Sequence, residues 1–172
     1  ELSSIKPEQL QSSLEEARKD RALRESIPDW LDQLGAAELG EDTWTPTIAA
    51  LNEQAPVVLR ANRLKTTPSK LARMLVQDKV RTEPIGADAL LVTERQNLFR
   101  TQAFREGLFE VQDYSSQQAA PTLEVAPGHT VIDACAGAGG KSLHLAALME
   151  NKGQLLSLDI HGWKLKELKR PP

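Results

Sequence analysis

The sequence predicts a chain of mixed class, α+β and α/β. A helical lead-in covers residues 1–55 and a small α+β domain 56–120; residues 121–172 open a Rossmann-like α/β domain that is incomplete in this chain. Two observations predict it. Apolar residues recur at helical spacing up to Ala55, then give way to short Val, Ile and Leu runs punctuated by Gly and Pro. Near the C-terminus a strand enters a glycine turn, a helix and a second strand that closes on an acid. The length of 172 residues, 40% hydrophobic and 26% charged, excludes fibrous and wholly disordered classes.

Pro7 suits the first turn of a helix with Leu10, Leu14 and Ala17 on one stripe and the charges from Glu15 to Arg24 covering the rest. Pro28 to Leu34 reads as a short helix with Trp30, Leu31 and Leu34 inward, stopped by Gly35. Pro46 opens another, with Trp44, Ile48 and Leu51 on one face, and Trp30 and Trp44 are expected to be core anchors. Val57 to Asn62 reads as a strand. Thr67 caps the next helix, Pro68 takes its first position, and Leu71, Met74 and Leu75 face inward. Lys79 to Thr82 and Asp88 to Thr93 read as strands parted by Pro84-Ile85-Gly86, and Gly107 to Gln112 as a further strand.

Thr130 to Asp133 is then a buried-type strand running into Ala134-Cys135-Ala136-Gly137-Ala138-Gly139-Gly140-Lys141. A helix follows over about 142–150, and Gln154 to Asp159 forms the second strand. Trp163 to Lys169 should open one more helix. A glycine turn lets backbone N–H groups approach a ligand, and the helix start favours an anion. Three ligands compete for it. A P-loop needs glycine where Cys135 stands, and the dinucleotide fingerprint needs glycine at Ser142. The spacing suits S-adenosylmethionine better, with Asp133 on its ammonium side and Asp159 on the ribose; a plain tight turn is the remaining alternative.

Charge is unevenly spread. Pro28 to Ala55 holds no Lys or Arg, whereas Arg60, Arg63, Lys65, Lys70, Arg73, Lys79 and Arg81 stand against the single acid Asp78. Clustered cations suit a polyanion such as RNA, the alternative being a solvated helix face. Arg95, Arg100 and Arg105 around Phe99 and Phe104 fit either an RNA-facing patch or a packed loop. His129, His144 and His161 lack ligand spacing and read as ordinary surface or packing residues, so no metal is expected. The single Cys135 excludes an internal disulfide and fits a reducing compartment. No apolar run reaches the roughly 18 residues of a membrane span. Glu1-Leu2-Ser3-Ser4 is unlike a signal peptide, so a soluble cytoplasmic protein is expected.

Asp133 to Lys141 resembles the Asp-Ala-Cys-Ala-Ala-Pro-Gly-Gly-Lys cofactor motif of the Sun/Fmu (RsmB-like) RNA cytosine-5 methyltransferases. Val58 to Thr66 resembles their Leu-Arg-Val-Asn-Arg-Leu-Lys segment. Gly107 to Asp113 with Ser116-Gln117 resembles their Val-Gln-Asp…Ser-Gln segment, and Ile27 to Leu31 their entry signature. The resemblance implies that Cys135, Ala136, Gly137, Ala138, Gly139, Gly140 and Lys141 wrap the methionine end of S-adenosylmethionine and that Asp159 binds its ribose. Lys164 stands where the family usually has Arg. Gly137 and Ala138 depart from the family's Ala-Pro, which loosens the turn without removing a donor.

The resemblance also makes Val57 to Gln112 the RNA-binding extension, with Arg60, Asn62, Arg63 and Lys65 touching the RNA and ribosomal RNA as the partner. Such enzymes add a cysteine thiolate to cytosine C6 and use a second cysteine in product release. The family's Pro-Cys and Thr-Cys motifs are absent here, and Cys135 reads as a loop residue, so no catalytic residue is assigned. The chain is expected to be the N-terminal portion of a longer enzyme, inactive alone. The competing expectation is a non-catalytic RNA-binding or S-adenosylmethionine-binding protein.

Overall fold

A computed structural model describes residues 7–168, and the chain divides into two units, Glu1–Ala55 and Pro56–Pro172. The Glu1 to Ser4 start and Lys169, expected in the last helix, lie outside the described residues.

In the first unit the helices are α1 (Pro7–Ala17), α2 (Arg21–Arg24), α3 (Asp29–Leu39) and α4 (Glu41–Leu51). The charged run to Arg24 is broken because Asp20 caps α2, its side chain accepting from Leu23 N. α3 runs through Gly35, contrary to the expected stop, and ends at Gly40, whose φ of +77° ordinary side chains avoid. Gly35 serves packing instead: a Cβ there would overlap the Trp44 indole. α4 starts at Glu41, so Pro46 lies inside it rather than opening it. Gly40 resets the backbone, and Glu41 and Asp42 complement the helix N-terminus. Trp44 is the anchor at 6% exposure; Trp30 at 64% and Leu51 at 70% are not. Trp44 Nε1 donates to Asp32 at 2.7 Å, and Arg21 bridges Asp32 and Glu41. Those bonds, from Arg21 first, hold the Asp32 carboxyl below its ordinary range.

Gly35→Ala tests this packing by sign. In an open helix the change stabilises by up to about 1 kcal/mol. Here the methyl overpacks Trp44, so urea unfolding followed by tryptophan fluorescence should show a loss of about 1–3 kcal/mol.

The second unit begins with β1 (Val58–Ala61), α5 (Pro68–Gln77), β2 (Thr82–Pro84), β3 (Ala89–Val92), α6 (Gln102–Arg105) and β4 (Phe109–Val111). The strands pair antiparallel in the order β2-β3-β1-β4, the split β-α-β-β-α-β arrangement of ferredoxin-like domains. Thr67 caps α5 as expected, accepting from Lys70 N, with Pro68 in its first turn. Leu71 and Leu75 bury against Leu59, Ala61, Leu90 and Phe109 on one sheet face. β2 starts later than expected. Lys79 adopts φ +62° and Val80 N bonds Leu75 O, so residues 79–81 close α5 before the strand begins.

Asp113 then caps α7 (Tyr114–Ala119), accepting from Ser116 N. β5 (Thr130–Asp133) and β6 (Gln154–Ser157) pair in parallel through α8 (Gly140–Leu148), and α9 (Gly162–Leu168) follows. This incomplete α/β layer opens a Rossmann-like domain beside an α+β sheet. α8 begins two residues earlier than expected because Gly139, at φ +99°, acts as its N-cap. β6 stops at Ser157, leaving Asp159 on the following loop. No helix among the described residues is long and apolar enough to cross a membrane, and none of their side chains cluster as a metal site.

Candidate functional site

The loop between β5 and α8 is built on two carboxylates. Asp133 Oδ2 accepts from Ser142 Oγ at 2.7 Å and its Oδ1 from Cys135 N at 3.3 Å, tying the strand end to the first turn of α8. Ser157 Oγ of β6 joins them, donating to Ser142 Oγ at 3.0 Å. The strands continue by backbone bonds past their ends, Leu158 N to Asp133 O and Ala136 N to Leu158 O. This brings Asp159 under the loop. Its Oδ2 accepts from Gly137 N at 2.9 Å and its Oδ1 from His161 N at 2.7 Å. The His161 amide first, then the Gly137 amide and the Lys164 charge, hold the Asp159 carboxyl below its ordinary range.

Gly137 takes φ +56° with open space where a Cβ would point, and Gly139 packs against Leu168 of α9. The first-turn amides of α8, at Gly140, Lys141 and Ser142, follow directly, where helix geometry leaves N–H groups without intrahelical acceptors. Asp133, Ala136, Gly137, Gly139, Gly140 and Asp159 are thus one constellation. Cys135, Ala138 and Lys141 stand on its exposed rim. Lys164 lies farther along α9, its Nζ 5.7 Å from the Trp163 ring centroid.

The basic segment divides. Arg60 is 3% exposed and so is no part of a solvated face. Arg63 Nε pairs with Asp88 at 2.5 Å, and Lys65 Nζ donates to Glu106 O at 2.8 Å. Asn62 Nδ2 donates to Gly107 O while its Oδ1 accepts from Leu64 N, which shapes the 62–65 turn. All four line one cavity of about 530 Å³ that also reaches Ala138 of the glycine loop. Lys70, Arg73 and Lys79 stay outside it on exposed positions, and Arg81 pairs with Glu94 at 3.3 Å. Phe104 lies between Phe99 and Phe109, with ring centroids 5.0 and 5.7 Å away, so this pair is partly a packed cluster.

Two further residues line the cavity: Glu110, which the sequence did not single out, and His144, expected as an ordinary surface or packing residue. His144 is 4% exposed, and burial first, then the Arg60 charge, pushes its pKa down to about 4. Burial raises Glu110, which faces Arg60 across the β1–β4 pair. The available signal was a titratable ring inside the helix, next to Leu145.

The family model described as 16S rRNA methyltransferase RsmB/F matches residues 120–171, and the RsmF/B-like ferredoxin-like domain matches 27–98. A probable ribosomal RNA small subunit methyltransferase B of Synechocystis is 36% identical over 83% of this chain and 33% of its own length. Its counterpart in Bacillus subtilis is 32% identical over 98% of this chain and 38% of its own. The chain therefore spans about a third of the length of these curated relatives. Among solved structures, a methyltransferase homolog protein from Pyrococcus horikoshii is 27% identical with a TM-score of 0.78, over 87% of this chain and 50% of that one. NSun6 from Pyrococcus horikoshii, solved with SFG, shares the fold at a TM-score of 0.77 and 18% identity, over 83% of this chain and 61% of that one. Two successive domain matches in the order the fold shows, and full-span similarity to named relatives, establish that the chain belongs to the RsmB/F (Sun/Fmu) methyltransferase family.

Proposed function

We propose that this chain supplies the RNA-binding and cofactor-motif portion of an S-adenosylmethionine-dependent methyltransferase that modifies cytosine C5 in ribosomal RNA in the cytoplasm. Residues 1–55 are the helical lead-in, 56–120 the RNA-binding domain, and 121–172 the first part of the cofactor domain. The observation that carries the reading is the meeting at Ala138 of the Asp133–Gly140 loop and the cavity lined by Arg60, Asn62, Arg63 and Lys65.

The loop fits the cofactor by its donor set. Amides at the start of α8 suit a carboxylate, Asp133 an ammonium and Asp159 ribose hydroxyls, and the open space at Gly137 admits close approach. Cys135 to Lys141 wrap the methionine end, with Lys164 adding positive charge beside Asp159. When bound, S-adenosylmethionine supplies an electrophilic methyl group. The residues of this chain bind and orient it. Cys135 is the chain's single cysteine and lies exposed in the cofactor loop, so no residue here is assigned the attack on C6, and the chain by itself is inactive. The reading calls on RNA as partner and on neither a metal nor a membrane.

Titration calorimetry with S-adenosylmethionine tests the cofactor half. In the full-length protein, Asp159→Ala should weaken binding by roughly tenfold to a hundredfold, since charged hydrogen bonds to ribose and to the Gly137 amide disappear together. Unchanged affinity in a folded variant would remove the ribose assignment. The RNA half is tested by filter binding across a salt series. Replacing Arg63 and Lys65 with Glu should lower RNA affinity and reduce the log-salt slope by about 0.7 for each phosphate no longer neutralised. Equal slopes for variant and parent would place RNA binding on another surface.

A further inference from the structure

Among the described residues, the buried side-chain atoms without a hydrogen-bond partner are Arg60 Nη1, Gln112 Oε1 and both ring nitrogens of His144. Arg60 and His144 line one cavity, and Gln112 lies outside its lining, near Gly140 at the start of α8. Arg60 alternates along β1 with the core residues Leu59 and Ala61, so it points to the opposite sheet face, where it shares the cavity with His144. Each such atom left bare costs about 1–3 kcal/mol, so native structures satisfy them with water or ligand. A volume of about 530 Å³ is within the range of small-ligand pockets.

The wall selects the occupant. The buried Arg60 stands among the acids Asp88, Glu110 and Glu167, which suits a neutral group bearing both donors and acceptors there, whereas Arg63 and Lys65 lie on exposed positions. Phe104, Leu143 and Ala147 add apolar walls for a flat ring. His144, held neutral, offers one donor and one acceptor. Arg60 Nη1 is a donor lacking an acceptor, and Glu110 is an acceptor beside it. Proteins read unpaired bases by this combination of polar edge bonds and ring packing. Among the described residues no cysteine lines the cavity.

We propose that the cavity between the β1–β4 face and α8 receives one unpaired base of the RNA that carries an exocyclic amino group beside a ring acceptor, and serves recognition. Arg60 donates to the ring acceptor, Glu110 accepts from the amino group, and His144 satisfies the remaining edge. The proposal rests on the RNA-binding reading above. Cytosine and uracil separate the two, because uracil replaces the amino group that Glu110 would read with a carbonyl and the ring acceptor that Arg60 would read with an N–H donor.

The test uses the 172-residue chain with labelled pentanucleotides UUCUU and UUUUU, followed by fluorescence anisotropy at fixed salt. UUCUU should bind roughly tenfold tighter, the scale of one good polar bond to a base. Glu110→Gln, which removes the charge and replaces one acceptor oxygen with a donor NH2, should reduce or remove the preference. In the parent, the His144 imidazole signals in nitrogen-15 NMR should move with UUCUU, and this arm decides the matter if Glu110→Gln does not fold. Equal, salt-sensitive binding of both oligomers with still His144 signals would leave the RNA-binding reading standing and overturn the pocket, its atoms then being satisfied by water. Absence of binding to either oligomer would overturn both.

Discussion

Gly139→Ala is expected to lower the unfolding free energy of the second unit by about 2–5 kcal/mol and to abolish binding of S-adenosylmethionine. Two costs combine. Gly139 sits at φ +99°, where a Cβ meets backbone repulsion of about 1–2 kcal/mol. The added methyl would also overlap Leu168 of α9, an overpacking cost of about 1–3 kcal/mol. Gly139 is the N-cap of α8, so any shift moves the first-turn amides away from the ligand. Gly137→Ala is the control. It has φ +56° but open space at the Cβ, so about 1–2 kcal/mol is expected from backbone strain alone. Urea unfolding measures both, and equal destabilisation would show that Leu168 does not constrain the loop.

On acidification from pH 7 to pH 4, the chain should lose on the order of 3 kcal/mol relative to its His144→Gln variant. The sign follows from the direction of the shift. Burial beside Arg60 pushes the His144 pKa down to about 4, against about 6.5 in the unfolded chain. Between those values the unfolded state binds a proton that the folded state refuses, so stability falls as pH falls and is level above about 6.5. Carboxyl groups held low by hydrogen bonds, such as Asp32 and Asp159, titrate in both proteins and cancel in the difference. The measurement is urea unfolding at half-unit pH steps, and parallel curves for parent and variant would show that His144 is not desolvated in the native state.

Much of the fold was legible because the signals act over a few residues. Thr67 and Pro68 start α5 by a side-chain cap and a preset φ, and both work without the rest of the chain. The Thr130 to Asp159 stretch carries its own strand, turn, helix and strand periods, so β5, α8 and β6 were expected within two residues of their bounds. Asp133 and Asp159 were singled out by spacing from the glycines, and they lie together because parallel pairing carries β6 alongside β5.

Other features belong to packing at long range. Gly35 and Gly40 are equivalent as local stop signals, and the position of Trp44 decides that one is a packing surface and the other a helix end. Pro46 signals a helix start, yet α4 reaches back to Glu41 because Gly40 resets the chain there. Arg60 reads as one cation of a basic run, but on a four-residue strand with both faces covered it is buried against α8. His144 became a neutral cavity wall for the same reason. The sequence by itself determined the Thr67 cap of α5, the order β5, α8, β6 and the glycine loop, since capping, periodicity and turn chemistry are local. Only the tertiary structure decided which charges are desolvated and which side chains share a cavity, because burial depends on residues far apart in the chain.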